Sequence, residues 1–329
     1  MEKSKRKSRT ALTACGIVLI VLCLLSLRLG SAHMENGSFF AALCDVYGET
    51  AYGRIIYGIR LPRTIAAVIA GALLAMSGCI LQSVTGNSMA SPNLVGVNSG
   101  AGFAVILSLS LFPQLFAFTP VFAFLGAFCA TLFITLISKK TGFSKTNVIL
   151  SGLAFGAVLS SGISLISLID TDALVSYNAF SIGSLSGVGI SQLTLPALVA
   201  ASVLIICIFF SGSIDILSLG DNTAHSLGIS VAKTRCILML LASASAGAAV
   251  SFAGLLGFVG LMSPHIASRL CSSRSRVLIP MSAMVGACLV VLSDLSGRVL
   301  FAPTEIPAGI ITALLGAPFF LLLVLGKER

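Results

Sequence analysis

The hydrophobic residues of this chain form long apolar runs, separated by glycine, proline, asparagine or charged residues. A bilayer core of about 30 Å is crossed by about 20 apolar residues in an α-helix, so runs of that length predict membrane-spanning helices. We count ten such runs, at residues 11–30, 62–83, 93–112, 118–138, 147–169, 190–211, 234–253, 255–270, 277–296 and 305–326. The seventh and eighth are divided at Gly254-Leu-Leu-Gly257, whose apolar residues predict a turn buried among neighbouring helices. The pattern therefore predicts an all-α integral membrane protein.

Composition supports this fold class and excludes a soluble one. Of the 329 residues, 57% are hydrophobic and 9% are charged, whereas a soluble domain has about 25% charged residues. The polar stretches are too short to form a separate soluble domain. We therefore predict a single transmembrane domain over residues 11–329, preceded by a basic cytoplasmic segment over residues 1–10. This start is also typical of a secretory signal, but Arg28 and the lack of a small-x-small cleavage pattern favour an uncleaved helix.

The basic residues indicate how the helices are oriented. The formal net charge is +9, but the lysines and arginines cluster at the ends of apolar runs, which favours a topological role over nucleic-acid binding. With the N-terminus in the cytoplasm, fifteen of the twenty basic residues fall in cytoplasmic segments, as the positive-inside rule requires. We therefore expect cytoplasmic N- and C-termini and no nucleic-acid partner.

The sequence has few of the residue patterns that support catalysis or metal binding. Its nine cysteines have no CxxC spacing, and its three histidines form no HExxH or HxxxH pattern. The GxxxxGK[ST] motif of ATPases and the GxSxG motif of hydrolases are both missing. The acidic residues fall in loops or near the ends of runs, which makes an ion-coupled carrier less attractive, although backbone carbonyls could still bind sodium. We therefore expect no enzyme activity, no metal site and no cofactor.

The polar loop between the sixth and seventh runs contains the pattern of one short helix. Asp221 or Asn222 is a candidate N-cap, Ala224 and Leu227 are expected on one face, and Gly228 is a candidate left-handed stop. A helix this short is marginal alone, so we expect it to dock on the protein's own inner surface or on a soluble partner. An ordinary connector at the lipid headgroups is the alternative.

Two arginines stand at the start of the second run, in Arg60-Leu-Pro-Arg63, where the proline suits a first helical turn. Their side chains would either snorkel to the membrane interface or form an electropositive landing site for an acidic partner. Arg298, in the last outer loop, would join such a landing site.

The segment between the second and third runs is polar for its depth in the membrane. It contains Gln82 and Asn87, which need polar partners or a wet cavity, and a Gly96xxxGly100 pair that permits close helix approach. Composition alone favours tight packing and a solute path equally.

The order of motifs resembles that of the FecCD family of ABC-transporter permeases, the type II importers of ferric siderophores, haem and cobalamin. The resemblance runs from Arg60 to Leu325. It is carried by Arg60-Leu-Pro-Arg63, by Gly78 to Gln82 with Asn87, Ala90, Pro92 and Gly96, by Gly183-Ser-Leu185, by Leu219-Gly-Asp221 with Ala224 and Leu227-Gly228, by Gly257-Phe-Val-Gly-Leu261 before Pro264-His265, by Asp294 with Arg298, and by Glu305-Ile-Pro307 through Gly316-Ala-Pro-Phe319.

The resemblance implies the type II ABC importer permease fold and a subunit that moves an intact ferric siderophore, or a related iron complex, across the cytoplasmic membrane of a prokaryote. A haem or cobalamin permease of the same family is the main alternative, and an ion-coupled secondary transporter is less favoured. The implied partners are cytoplasmic ABC ATPase subunits, an extracytoplasmic substrate-binding protein, and a second permease copy or a homologous permease.

The resemblance also implies roles for particular residues. The expected functional residues are Gly220, Asp221, Ala224, Leu227 and Gly228 in an ATPase-coupling helix, Arg60, Arg63 and Arg298 in docking of the binding protein, and Gln82, Asn87, Ser144 and Thr146 in the translocation path or its gate.

Overall fold

The fold is a bundle of α-helices, seen in a computed structural model that describes residues 2–30, 39, 42–140 and 145–325. The helices are α1 (Glu2–Arg28), α2 (Ala51–Ile55), α3 (Leu61–Thr85), α4 (Val97–Leu111), α5 (Thr119–Lys140), α6 (Lys145–Ile169), α7 (Thr171–Ile182), α8 (Ile190–Phe209), α9 (Ser211–Ser218), α10 (Asp221–Ser226), α11 (Val231–Ala253), α12 (Val259–Leu270), α13 (Ser275–Val299) and α14 (Ala308–Leu325). One π-helical turn, Ile56–Arg60, joins α2 to α3, and 3-10 helices cover Pro92–Val95 and Pro113–Phe118. These described ranges contain no β-strand.

Seven helical segments are long and apolar enough to cross a membrane. They are Ser8–Arg28, Ala51–Thr85, Pro113–Lys140, Thr146–Ile169, Ile190–Phe209, Val231–Ala253 and Ser275–Val299. Each of the ten predicted apolar runs contains a helix, but α4, α12 and α14, over the third, eighth and tenth runs, are shorter. The prediction of an all-helical membrane protein is therefore confirmed, with seven candidate spans by length and composition.

Helix α3 lies at the centre of the bundle. In the segment that contains α3, 78% of the most apolar 18-residue stretch is buried within the protein, against 6% of the corresponding stretch in α6 and 11% in α1. Helix α3 packs against α11, α12 and α13. A Cβ atom added at Gly71 would overlap backbone of Gly286 in α13, and one added at Gly78 would overlap backbone of Gly260 in α12. These glycines allow the helix backbones to approach closely enough to form the core.

The predicted buried turn between the seventh and eighth runs is confirmed. Helix α11 ends at Ala253, and Gly254 is buried with φ 68° and ψ −161°, a positive-φ conformation that favours glycine. The next residue, Leu255, donates its backbone N–H to the carbonyl oxygen of Phe180 at 3.3 Å. A neighbouring segment thus satisfies turn backbone that lipid could not.

Helices α2, α7 and α9 were not predicted, and a carboxylate accepts a backbone N–H at the start of α7 and from within α9. The Asp170 carboxylate accepts a hydrogen bond from the Ala173 backbone N–H at 3.0 Å in the first turn of α7, and this bond lowers the pKa of Asp170. In α9, Asp215 Oδ1 accepts from the Ser275 backbone N–H at 2.8 Å, at the start of α13. A short polar helix is thereby tied to a long membrane helix.

Candidate functional site

The short helix α10 is attached to α11 by a buried arginine. Arg235 donates from Nη1 and Nη2 to the two carboxylate oxygens of Asp221, at 2.9 and 2.7 Å. The Arg235 side chain is 2% exposed, whereas that of Asp221 is 48% exposed. This bidentate geometry is the strong form of an ion pair and fixes the start of α10.

The prediction that Asp221 or Asn222 caps α10 was wrong. The N-cap residue is Gly220, with φ 109°, and no side chain caps the helix. The Asp221 carboxylate binds Arg235 in α11 instead of folding back on the first turn of its own helix. An ion partner outside the local sequence has overridden the local capping preference.

The predicted end of α10 at Gly228 is confirmed. Gly228 has φ 79°, and Ile229 donates its N–H to the Ala224 carbonyl at 3.0 Å, which closes a Schellman-type turn. Ala224 and Leu227, which were expected on one face, differ in exposure: Ala224 is fully buried while Leu227 is 58% exposed. Of these two residues, Leu227 is the one exposed to a partner.

A cavity of about 590 Å³ lies between α10 and the start of α11. It is lined by Asp221, Asn222, His225, Gly228, Ile229, Ser230, Val231, Ala232 and Arg235. The cavity walls are therefore α10, the connector after it and the start of α11, which the Asp221–Arg235 ion pair links.

The three predicted docking arginines lie together at the N-terminal end of α3. Arg63 donates from Nε to Asp294 Oδ1 at 2.8 Å and from Nη1 to Glu305 Oε2 at 2.6 Å. Arg298 Nε lies 3.0 Å from the other Asp294 oxygen, and Arg298 Nη2 donates to Ser26 Oγ at 2.6 Å. Two arginines and one aspartate thus form a continuous chain of charge between α3 and α13.

The third arginine, Arg60, forms hydrogen bonds with the C-terminal end of α1. Its Nη1 donates to the carbonyl oxygens of Leu27 and Arg28 at 2.9 and 2.6 Å, which satisfies backbone acceptors that a helix C-terminus leaves open. Arg60, Arg63 and Arg298 are 3%, 5% and 2% exposed. Neither snorkelling nor an open landing site describes these contacts, so a docking role requires rearrangement and stays a prediction.

Of the three predicted path residues that the structure describes, Gln82, Asn87 and Thr146, Gln82 alone lines a cavity on the proposed path. Gln82 lines a polar cavity of about 300 Å³ with Asp215 and His265, and its Nε2 lies 3.5 Å from the Leu261 carbonyl oxygen of α12. The Asn87 side chain is used locally, accepting from the Met89 backbone N–H at 2.9 Å.

The remaining two path residues, Ser144 and Thr146, lie in the sequence at the start of α6. Thr146 is exposed in the first turn of α6 and does not line the Gln82 cavity. Ser144 lies outside the described residues. Among the described residues no group of three His, Cys, Asp or Glu side chains could hold a metal ion.

Several residues of these sites had no predicted partner in the sequence. Asp294 and Glu305 were noted only as motif residues, and Arg235 only as a cytoplasmic positive charge. The pair Arg63–Asp294 joins residues 231 positions apart, and no local periodicity marks a contact of that separation. Two signals were usable: the opposite charges of Asp221 and Arg235, which flank one polar loop, and the i,i+4 spacing of Asp294 and Arg298.

Comparison with known proteins identifies the family. The FecCD transport family matches residues 18–326. The chain belongs to the FecCD transport family. The Fe(3+)-citrate import system permease protein YfmE of Bacillus subtilis is 36% identical, over 100% of this chain and 99% of the relative. The hemin transport system permease protein HmuU of Yersinia pestis is 35% identical, over 95% of this chain and 96% of the relative. The vitamin B12 import system permease protein BtuC of Vibrio cholerae is 34% identical, over 97% of this chain and 94% of the relative.

Solved structures agree with this FecCD membership. A metal-chelate type ABC transporter in an inward-facing conformation superposes with a TM-score of 0.81 and 28% identity, covering 96% of this chain and 99% of that one. A chain of PsaBC from Streptococcus pneumoniae, in complex with Fab, has the same general fold at a TM-score of 0.60 and 21% identity, covering 86% and 94%. The FecCD chain is therefore an ABC-transporter permease, a membrane transport subunit and not a catalytic one.

Proposed function

We propose that this permease moves an intact ferric siderophore, or a related iron complex, across the cytoplasmic membrane of a prokaryote. The FecCD match over nearly the whole chain carries this proposal, together with relatives named for iron citrate and iron hydroxamate. A bulky polar chelate needs a protein pathway, and the described residues offer no metal-ligand cluster that would suit a bare ion.

In the proposed topology the chain crosses the membrane ten times, with both termini in the cytoplasm. The shorter helices α4, α12 and α14 would complete the seven longer spans. Basic residues at the ends of α5, α11 and α12 would then face the cytoplasm, in line with the positive-inside rule. This orientation puts α10 on the cytoplasmic side and the Arg63 network on the outer side.

Energy would enter through α10 from a separate ATPase subunit. Gly220, Asp221, Ala224, Leu227 and Gly228 form the proposed coupling helix. Gly220 and Gly228 have positive φ and open space around them, while exposed Leu227 is suited to a hydrophobic groove in the ATPase. ATP-dependent contacts that differ between two states would shift the permease between outward and inward access.

The translocation path would form between two permease copies, or between this chain and a homologous permease. Helix α6 supports this proposal because only 6% of its most apolar 18-residue stretch is buried within the chain. Its exposed residues include Ala154, Ala157, Ser161 and Ser164, small groups that suit weak contact with a passing polar solute. Gln82, Asn87, Ser144 and Thr146 are the proposed path or gate residues nearer the cytoplasm.

A substrate-binding protein would deliver cargo at the outer end, with Arg60, Arg63 and Arg298 as the proposed docking residues. High affinity for cargo would then belong to that protein. Haem and cobalamin remain the alternative cargoes, because relatives at similar identity are named for hemin and vitamin B12.

Doubly labelled cargo tests the proposal. The permease, its ATPase and its binding protein would be reconstituted in proteoliposomes and supplied with ferric siderophores, ferric citrate, haem or cobalamin, each labelled on both metal and ligand. We expect ATP-dependent uptake of an iron chelate, with metal and ligand accumulating in equal amounts. Uptake of cobalamin or haem alone would contradict the cargo proposal, and uptake of metal without ligand would contradict transport of an intact complex.

A further inference from the structure

Arg63 is held by two carboxylates that differ in exposure. The side chain of Asp294 is 1% exposed, and its two oxygens face Arg63 Nε at 2.8 Å and Arg298 Nε at 3.0 Å. The side chain of Glu305 is 32% exposed, and its Oε2 accepts from Arg63 Nη1 at 2.6 Å. Separating a buried ion pair is costly, whereas a partly exposed pair exchanges with solvent at small cost. Glu305 is therefore the displaceable partner of Arg63.

The backbone beside Glu305 is fixed, so its side chain can leave without movement of the loop. Ile306 donates its N–H to the Gly297 carbonyl oxygen at 3.0 Å, and Gly309 donates to the Gly183 carbonyl oxygen at 3.0 Å. Displacement of the Glu305 carboxylate therefore needs a change of its side-chain rotamer and no movement of the hydrogen-bonded backbone that follows it.

A cavity at this point has room for an incoming acid. It has a volume of about 230 Å³ and is lined by Gly30, Ile55, Ile59, Arg60, Arg63, Arg298 and Glu305. One water molecule takes up about 30 Å³ of liquid, so a carboxylate side chain fits. Three guanidinium groups line the cavity, with Glu305 as the acid in its wall.

We propose that Glu305 is an internal competitor for docking, displaced from Arg63 by an acidic side chain of the extracytoplasmic substrate-binding protein. This inference rests on the proposed docking at the outer face. Asp294 would keep the guanidinium of Arg63 in position while the exposed acid is exchanged. Because one carboxylate replaces another, this contact contributes to the free energy of docking only the difference between the energies of the two ion pairs. Docking would therefore be reversible.

The test is the affinity of the binding protein for the importer carrying Glu305→Gln. The probe is the binding protein that copurifies with the assembled importer, produced separately and measured by interferometry on importer in nanodiscs. Removing the competing charge should tighten binding by about three- to tenfold, mainly through slower dissociation. Glu49→Gln is the matched control, because Glu49 is exposed and does not line the cavity; its effect should stay below about twofold.

Unchanged or weaker binding by Glu305→Gln would overturn the competitor role while leaving docking itself intact. No binding by the unmodified importer would overturn both docking and this inference. If Glu305→Gln fails to accumulate in the membrane, Glu305→Asp replaces it. That variant keeps the charge but withdraws the carboxylate from Arg63, and it should tighten binding by a smaller factor. Unchanged or weaker binding there would also contradict the proposal.

Discussion

Replacing Asp294 with asparagine should destabilise the outer end of the bundle although it preserves side-chain size. Asp294 is 1% exposed and faces Arg63 and Arg298, which are themselves 5% and 2% exposed. The substitution leaves two buried guanidinium groups without the negative charge between them. Removing one partner from a buried ion pair costs about 3–5 kcal/mol, because the remaining charge stays desolvated.

The matched control is Glu305→Gln, which makes the same change of acid to amide against the same Arg63. Because Glu305 is 32% exposed, its ion pair should contribute about 1 kcal/mol or less. The measurement is the free energy of unfolding of each purified variant in detergent, from denaturant titration followed by circular dichroism. We expect Asp294→Asn to lose at least about 2 kcal/mol more than the control. Equal losses would refute the argument from burial.

Three further predictions test other parts of the structure. Leu227→Asp should abolish ATP-driven uptake while leaving the permease in the membrane. Ala224→Asp should instead lower the amount of folded protein, because Ala224 is fully buried. Immunoblots measure the amount of permease in the membrane, and uptake assays measure transport. Gly78→Ala should cost about 1–3 kcal/mol or more in detergent unfolding, because its Cβ overlaps backbone of α12, while Gly58→Ala, which meets nothing within 4 Å, should cost far less. Asp221→Asn should raise the ATP hydrolysed per cargo molecule, and an unchanged ratio would contradict a role in coupling.

The helical fold was predictable because it depends on local composition. A run of about 20 apolar residues must satisfy its backbone within itself in lipid, and the helix is the structure that does so. The buried turn at Gly254 was predictable for the same reason, since its neighbours are apolar and only glycine adopts its conformation readily. The short helix α7 was missed because its residues add no separate apolar run.

The contacts of the site were less predictable because they join distant parts of the chain. The sequence identified Arg60, Arg63 and Arg298 as a group but not their burial, which depends on Asp294 and on the end of α1. For α10 the sequence left open whether the helix docks on the protein's own inner surface or on a soluble partner; the structure buries Ala224 within the protein and leaves Leu227 exposed. Burial of a polar helix depends on its neighbours, which local pattern does not specify.

The most direct test of the central claim compares energy sources in proteoliposomes that contain the permease and loaded binding protein. With the ATPase subunit present, cargo should accumulate only when ATP is supplied, and proton or sodium gradients should have no effect. Without the ATPase subunit, no condition should drive uptake. Accumulation of cargo by an ion gradient in vesicles that lack the ATPase would contradict the account.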